Sequence, residues 1–200
     1  MSGLGPTPTP TPTPTRPIRG PWLGYRSRMT CDIRDHDPDR IRLEAILAGL
    51  DVPFELFACD PALADTAQFC AAYGFELGDS ANTIVVVGKS DPRRHAACLV
   101  LATHRLDVNR AVRAKFGKGR ASFVPAEETR EVTGMEIGGV PPFGLPAGLP
   151  IWVDSAVMAR PRIVLGGGSR SWKVIAPPEI LLALPNVEVV EGLAALAAQE

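Results

Sequence analysis

The chain has 200 residues, of which 46% are hydrophobic and 22% charged, and its net charge is −1. These proportions are typical of a soluble globular protein with enough apolar material for one core, so neither a metal nor a disulfide is needed to hold the fold. The first 36 residues carry five arginines and two aspartates, a charge of +3. The remaining chain therefore carries −4, unlike a general nucleic-acid coat protein.

The N-terminal segment contains the repeat PTPTPTPTPT at 6–15, which cannot form a regular helix or sheet and has nothing apolar to bury. We therefore predict a disordered, Thr-Pro-rich tail over 1–36 and a single folded domain over 37–200. No apolar run has the length of a membrane span and the N-terminus lacks a signal-peptide core, which predicts a cytoplasmic protein. The four cysteines form no C-x-x-C pair and no zinc spacing, so we expect reduced thiols, no metal and no cofactor.

The first predicted helix begins at Asp37-Pro38, because aspartate can cap a helix and proline suits its first turn, and it ends near Gly49. The β-branched runs at 81–88 and 96–103 are typical of buried strands, and the turn between them predicts a hairpin. The other predicted helical segments are 61–73, 108–116, 126–133, 177–184 and 191–199. The other predicted strands are 54–59, 122–125, 151–154, 162–166, 173–176 and 187–190. This order of elements predicts an α+β fold with one mixed, curved β-sheet flanked by helices.

The loop at 134–150 holds five glycines and four prolines, a composition that makes a rigid and irregular backbone. The backbone N–H groups of Gly138, Gly139 and Val140 could face a ligand carbonyl or an oxyanion. A stiff connector between a helix and a strand explains the same composition equally well.

A second glycine-rich segment, LGGGSRSWK, lies at 165–173. The three glycines at 166–168 allow a ligand phosphate or ribose to approach the backbone, and Arg170 after Ser169 would supply charge and a forked donor geometry. A hairpin turn is the alternative interpretation.

A third segment, at 110–120, contains five cations and no acidic residue, which suits a polyanion backbone. A solvated helix face is the alternative for some of them. The five residues, called the basic stripe below, are Arg110, Arg113, Lys115, Lys118 and Arg120.

Several catalytic patterns are missing from the sequence, namely a nucleophile elbow, a phosphate-binding loop and a dinucleotide-binding glycine motif. The spacing of the histidines, serines and cysteines does not point to a nucleophile with its base. The residues alone therefore favour a binding pocket or a reaction without a protein nucleophile.

Four stretches taken in order resemble the YbaK/EbsC family of aminoacyl-tRNA deacylases, which are akin to the editing domain inserted in bacterial prolyl-tRNA synthetases. They are NTIVVVG (82–88), TGMEIGGVPPFG (133–144), VD (153–154) and GGGSR (166–170), and the G-x-x-x-P signature of the family matches Gly138 to Pro142. The resemblance covers roughly 40–195. It implies the fold associated with that family, with the curved sheet closing in a barrel-like way.

The resemblance implies trans-editing hydrolysis of the ester that links a mischarged amino acid to the 3′ end of tRNA. The partner would be the acceptor end of aminoacyl-tRNA, with an aminoacyl-tRNA synthetase as a second candidate partner. The basic stripe would bind tRNA, and the catalytic positions would be Asn82 and the backbone of Gly138, Gly139 and Val140. The substrate-binding positions would be Thr83, Pro142, Phe143, Asp154, Gly166, Gly167, Gly168, Ser169 and Arg170.

The chain departs from this family at Asn82, because deacylases of the family usually carry a lysine at the start of this strand. Asparagine can hydrogen-bond a carbonyl or a ribose but brings no positive charge, and Lys89 lies at the far end of the same strand. The alternative function is therefore a weakly active or inactive module that binds tRNA or an aminoacyl-nucleotide. A third hypothesis is hydrolysis of another small acyl ester.

Overall fold

The computed structural model describes residues 37–117, 119–135 and 139–197. The predicted tail at 1–36 lies outside the described residues, as do two of the predicted site residues, Lys118 and Gly138. Within the described part of the chain, no helix is long and apolar enough to cross a membrane.

The helices begin and end at the signals that the sequence carries. The first starts at Asp37, whose side chain accepts a hydrogen bond of 2.9 Å from the Asp39 N–H, and ends at Gly49. Gly134 ends the fourth helix at a φ of +72°, a left-handed conformation that glycine adopts without strain. The α-helices are α1 (Pro38–Ala48), α2 (Thr66–Tyr73), α3 (Arg113–Phe116), α4 (Ala126–Thr133) and α5 (Ser155–Met158).

Shorter helical turns complete the predicted helical segments. One 3₁₀ turn spans Pro61–Leu63 before α2, another spans Leu77–Asp79, and a third spans Pro178–Ala183. The predicted helix over 108–116 is a π-helical turn, Val108–Val112, that continues into α3.

Ten strands form three sheets. A mixed five-stranded sheet has the order β5-β2-β3-β6-β9, an antiparallel sheet has the order β1-β8-β7, and β10 pairs with β4 in a ribbon. The strands are β1 (Glu55–Ala58), β2 (Ala81–Gly88), β3 (Arg94–Leu101), β4 (His104–Leu106), β5 (Ala121–Phe123), β6 (Ile151–Asp154), β7 (Ile163–Gly166), β8 (Trp172–Ala176), β9 (Val187–Val190) and β10 (Ala194–Leu196).

The predicted hairpin of β2 and β3 is confirmed, with Ala81 opposite Leu101 and Gly88 opposite Arg94. The α+β class is confirmed as well, but the single sheet was wrong because the strands divide among three sheets. A barrel-like closure stays a prediction. An isolated bridge between Ser80, just before β2, and Val164 of β7 links the two larger sheets.

The predicted helix over 191–199 was wrong, because Ala194–Leu196 forms β10 and pairs with β4. Alanine and leucine have high helix propensity, but the pairing of this segment with β4 overrides that preference. Here the buried side chain of Leu193 precedes the strand, and its carbonyl accepts a hydrogen bond from the Asp107 N–H.

Two layers of packing position the cavity described below. The main core lies between the two larger sheets and includes the fully buried Leu99, Val153 and Leu165. A separate aromatic cluster holds α2 against the three-stranded sheet, with the rings of Phe57 and Phe69 in edge-to-face contact at 5.6 Å.

Candidate functional site

A cavity of ≈ 260 Å³ lies between the start of β2, helix α2 and the hairpin of β7 and β8. Polar side chains collect in it although its surroundings are apolar. The lining residues that matter below are Asp65, Thr66, Asn82, Thr83, Val140, Gly166 and Lys173.

The cavity exists because one edge of β2 is incompletely paired. Strand β3 pairs with β2 along its whole length, whereas β5 pairs only with Val86–Gly88. Before β2 begins, Ser80 bridges to Val164 of β7. Between these two contacts no strand of the described residues covers the second edge of β2, and the cavity occupies that place. Since it opens along the strand edge, side chains from both faces of β2 reach it.

Asn82 and Thr83 offer hydrogen-bonding groups to this cavity. The Oδ1 atom of Asn82 accepts a hydrogen bond of 2.9 Å from Thr66 Oγ1, which orients the side-chain amide, and its NH₂ group can donate to a ligand. The Thr83 Oγ1 atom is buried and has no hydrogen-bond partner among the residues that the structure describes. A buried hydroxyl without a partner is costly, so this atom is suited to a ligand that supplies the missing bond.

Lys173 enters the same cavity from β8 and was absent from the predicted site. Its side chain is buried, and its Nζ donates a hydrogen bond of 2.7 Å to the Ala64 carbonyl and lies 5.4 Å from the centre of the Phe69 ring. Burial lowers the pKa of Lys173 below the ordinary lysine value. The signal in the sequence is a lysine at the start of the apolar strand KVIA.

The two glycine-rich segments pack against each other, backbone to backbone. The Gly168 N–H donates a hydrogen bond of 2.9 Å to the Gly139 carbonyl. A Cβ atom added to Gly166 would lie 2.7 Å from the same carbonyl oxygen, so only glycine allows this approach. The close contact brings the buried Val140 to the cavity wall. The structure thus joins Asn82, Thr83, Val140 and Gly166.

Other predicted substrate-binding residues lie away from the cavity. Pro142 is buried and Phe143 is fully buried in the main core. The two carboxylate oxygens of Asp154 accept hydrogen bonds from the N–H groups of Ala156 at 2.9 Å and Ala194 at 2.8 Å. Asp154 therefore caps α5 and holds the first residue of β10, and its placement gives no support to a role in substrate binding.

The remaining residues of the second glycine segment lie beside the cavity. Gly168, Ser169 and Arg170 line a neighbouring depression together with Gly139, and Gly167 packs on the backbone of Trp172. Arg170 donates to the Pro61 carbonyl at 2.9 Å and contacts the Asp65 carboxylate at 3.2 Å. Since Asp65 lines the cavity, Arg170 lies at its rim. The segment connects the antiparallel strands β7 and β8 as a hairpin turn, which was the alternative interpretation of its sequence.

The basic stripe lies at the other end of β2. Helix α3 of this segment places Phe116 against Gly88, and a Cβ atom added to Gly88 would lie 2.7 Å from the Phe116 ring. A strand rises about 3.3 Å per residue, so Asn82 is roughly 20 Å away. The side chains of Arg110, Arg113 and Arg120 are exposed, whereas Lys115 pairs with Glu188.

The described residues contain no group of three or more histidines, cysteines, aspartates or glutamates that could hold a metal ion. Ser80 is the hydroxyl of the cavity that could resemble a nucleophile, but its Oγ lies 3.2 Å from the Cys70 sulfur. His95 lies elsewhere, with its Nε2 at 2.7 Å from Glu128.

The chain is similar to known proteins over most of its folded part. The family model of the aminoacyl-tRNA editing domain matches residues 60–184. The crystal structure of a proposed trans-editing enzyme for prolyl tRNA synthetase is 28% identical, with a TM-score of 0.66 over 77% of this chain and 96% of that chain. No curated protein matches the chain.

Two further solved structures share the fold. A scaffold protein used for epitope backbone grafting is 24% identical, with a TM-score of 0.66 over 78% of this chain and 97% of that one. The hypothetical protein APE2540 is 23% identical, with a TM-score of 0.69 over 77% of this chain and 99% of that one.

Proposed function

Because the chain belongs to the aminoacyl-tRNA editing domain family, we propose that it hydrolyses the ester bond of a mischarged aminoacyl-tRNA, acting in trans. The family membership itself gives the chain a role in aminoacyl-tRNA editing. The proposal adds the catalytic step, the place where it occurs and the tRNA that is read.

The observation that carries the proposal is the convergence of Asn82, Thr83, Val140 and Gly166 on one cavity, although they come from segments far apart in sequence. The Asn82 amide and the Thr83 hydroxyl can donate hydrogen bonds to an ester carbonyl. A cavity of ≈ 260 Å³ has room for an amino-acid side chain and its ester group.

A water molecule is the nucleophile in this proposal. Its oxygen attacks the ester carbonyl carbon, and the carbonyl electron pair moves to the oxygen to form a tetrahedral oxyanion. The oxyanion then collapses, the ribose oxygen leaves and takes up a proton, and the products are free amino acid and uncharged tRNA. Ser80 is not needed as a nucleophile, which agrees with its contact to the buried Cys70. No described residue of the cavity lining is a histidine.

The tRNA is proposed from the relative that acts in trans for prolyl tRNA synthetase. We therefore take tRNA for proline, carrying other amino acids, as the first substrate to examine, and the synthetase as a transient partner in the cytoplasm. The acceptor stem would extend from the cavity towards the basic stripe. The folded domain would begin at about residue 37, with 1–36 as a tail.

A single-turnover assay tests the proposal. The full chain, in excess, is mixed with tRNAs that carry a radiolabelled amino acid, and the half-life of the ester is measured. The panel pairs proline tRNA with several amino acids smaller than or similar in size to proline, together with correctly charged controls. Loss of label that is faster than in buffer supports the proposal, whereas an unchanged half-life on every member refutes it.

The alternative, a module that binds without hydrolysis, is distinguished in the same assay. Tight binding of charged tRNA with an unchanged half-life would support that alternative. Hydrolysis that uncharged tRNA does not compete with would instead indicate a different small acyl ester as substrate.

A further inference from the structure

Lys173 occupies an unusual place for a lysine. It lies in β8, the central strand of the three-stranded sheet, with Phe57 of β1 opposite on one side and Gly166 of β7 on the other. Only 6% of the residue is exposed. Lysines are almost never buried to this degree unless a carboxylate pairs with them, because removal of an ammonium group from water is costly.

Among the described residues Lys173 has no salt-bridge partner, although the nearby Cys59, Asp65 and Cys70 favour its charged form and Arg170 opposes it. Among residues 37–117, 119–135 and 139–197, no carboxylate lies within salt-bridge distance of its Nζ atom. The Ala64 carbonyl accepts one hydrogen bond at 2.7 Å, and the Phe69 ring lies beneath the ammonium. An ammonium has three donors, so two remain for other partners.

A purely structural role explains only part of this arrangement. The bond to the Ala64 carbonyl ties the turn before α2 to β8, but a neutral donor could do this without the cost of a buried charge. The ammonium instead lies in the lining of the cavity that also contains the unpaired Thr83 hydroxyl and the Asn82 amide. Three groups able to donate therefore surround one space, and one of them is charged.

We propose that Lys173 is a catalytic residue of this cavity, whose ammonium group donates a hydrogen bond to the carbonyl oxygen of the ester and stabilises the oxyanion that forms there. The inference rests on the proposed function, since it names the group that supplies positive charge in that reaction. Lys173 stays protonated throughout, so the proton taken up by the leaving ribose oxygen comes from the attacking water. Asn82 then needs no charge of its own.

The first test replaces the lysine by an apolar side chain of similar length. In the single-turnover assay, Lys173→Met should slow hydrolysis about 100-fold, the effect typical of losing one donor to an oxyanion. Lys89→Met is the matched control, because Lys89 is exposed and follows the far end of β2. It should change the rate less than twofold. Thermal unfolding checks that both variants fold. If Lys173→Met does not fold, Lys173→Gln, which keeps a hydrogen-bond donor, takes its place.

The second test moves the charge within the cavity. The double variant Asn82→Lys with Lys173→Met should hydrolyse the ester at least tenfold faster than Lys173→Met alone, because the new ammonium enters the same space. A lysine with a purely structural role would not be replaced by one on another strand. A Lys173→Met rate within threefold of wild type would overturn the assignment, and so would a double variant no faster than Lys173→Met.

The third test uses pH. Burial lowers the pKa of Lys173, so its charge is complete at low pH and is lost as pH rises through that pKa, below the ordinary lysine value. The ratio of the wild-type rate to the Lys173→Met rate should therefore be constant at low pH and fall as pH increases. A ratio that does not change with pH contradicts the inference.

The outcomes separate the inference from the proposed function. If the wild type hydrolyses no charged tRNA, the proposed function fails and the assignment of Lys173 fails with it. If the wild type is active and Lys173→Met equals it at every pH, only the assignment fails.

Discussion

The two ends of β2 differ in what covers their second edge. At one end, Val86–Gly88 lie between β3 and β5, and the ring of Phe116 packs where Gly88 has no side chain. At the other end, Asn82 and Thr83 have β3 on one edge and a cavity on the other. The same strand thus lies in the core at one end and lines a cavity at the other.

The difference shows how an incomplete sheet in an α+β fold leaves room for a cavity. A complete sheet satisfies its backbone groups and buries its side chains, so it leaves no room for a ligand. Where β5 stops, the strand edge becomes available and polar side chains can enter without displacing the core. We therefore expect substitutions at the covered end to change stability, and substitutions at the open end to change activity.

The largest effect is expected at the covered end. In Gly88→Val the new Cβ would lie 2.7 Å from Phe116 Cγ, and this ring cannot move freely because it packs on Trp152 at 5.0 Å. Overpacking of this kind costs about 3 kcal/mol of unfolding free energy, which urea denaturation measures. Gly49→Ala is the control, since its Cβ would make an ordinary contact of 3.5 Å. Hydrolysis per folded molecule should not change, and a large loss there would contradict the separation of the two ends.

The next effect is expected where the two glycine segments meet. In Gly166→Ala the added methyl group would lie 2.7 Å from the Gly139 carbonyl oxygen and 3.1 Å from that of Val140. The segment must shift away from the cavity wall, so we expect hydrolysis to fall about tenfold or more, since misplacement of a positioning group by 1 Å can cost this much. Gly148→Ala is the matched control in the loop at 134–150, because nothing lies within 4 Å of its added Cβ. Equal rates for the two variants would show that this contact does not shape the site.

Much of the fold could be predicted because its signals are local. The aspartate cap of α1 and the β-branched runs of β2 and β3 act within a few residues, and the structure confirms them. The strand Ala194–Leu196 could not be predicted, because its pairing with β4 depends on residues far away in sequence. Division of the strands among three sheets depends on the same kind of contact.

The site was predicted less completely than the fold for a similar reason. The motifs identified the segments around Asn82, Val140 and Gly166, which the structure brings to one cavity. A motif does not say which way each side chain faces, and Asp154 caps a helix, so its role in substrate binding stays a prediction. Lys173 was missed because a lysine at the start of a strand usually faces solvent, and only its register between β1 and β7 shows that it is buried.

A smaller effect on activity is expected at Thr83, whose buried hydroxyl has no partner among the described residues, than at the glycine segments. The hydrogen-bonded hydroxyl of Thr133 provides the comparison. In Thr83→Val the unpaired hydroxyl is removed, so stability should be unchanged or rise by up to about 1 kcal/mol, while hydrolysis falls about three- to tenfold through loss of one hydrogen bond to the substrate. Thr133→Val is the comparison, because Thr133 Oγ1 donates to the Thr129 carbonyl at 2.7 Å. That variant should lose about 1 kcal/mol of stability and keep its activity. Urea denaturation and the single-turnover assay together measure both, and destabilisation by Thr83→Val would contradict the interpretation of its hydroxyl as a ligand group.

The smallest effect is expected at the basic stripe, because its exposed residues Arg113 and Arg120 lie roughly 20 Å from Asn82. Arg113→Glu and Arg120→Glu should each weaken binding of full-length charged tRNA by a few-fold. Each should also reduce the slope of log affinity against log salt concentration by about the contribution of one phosphate contact. Hydrolysis of a short aminoacylated acceptor fragment, which ends before the stripe, should stay at the wild-type rate. Comparison of the two substrates is the control within each variant. If hydrolysis of full-length tRNA and of the short fragment falls equally, the arginines act on the cavity. A loss confined to the long substrate would place the acceptor stem along β2, from the open end to the covered one.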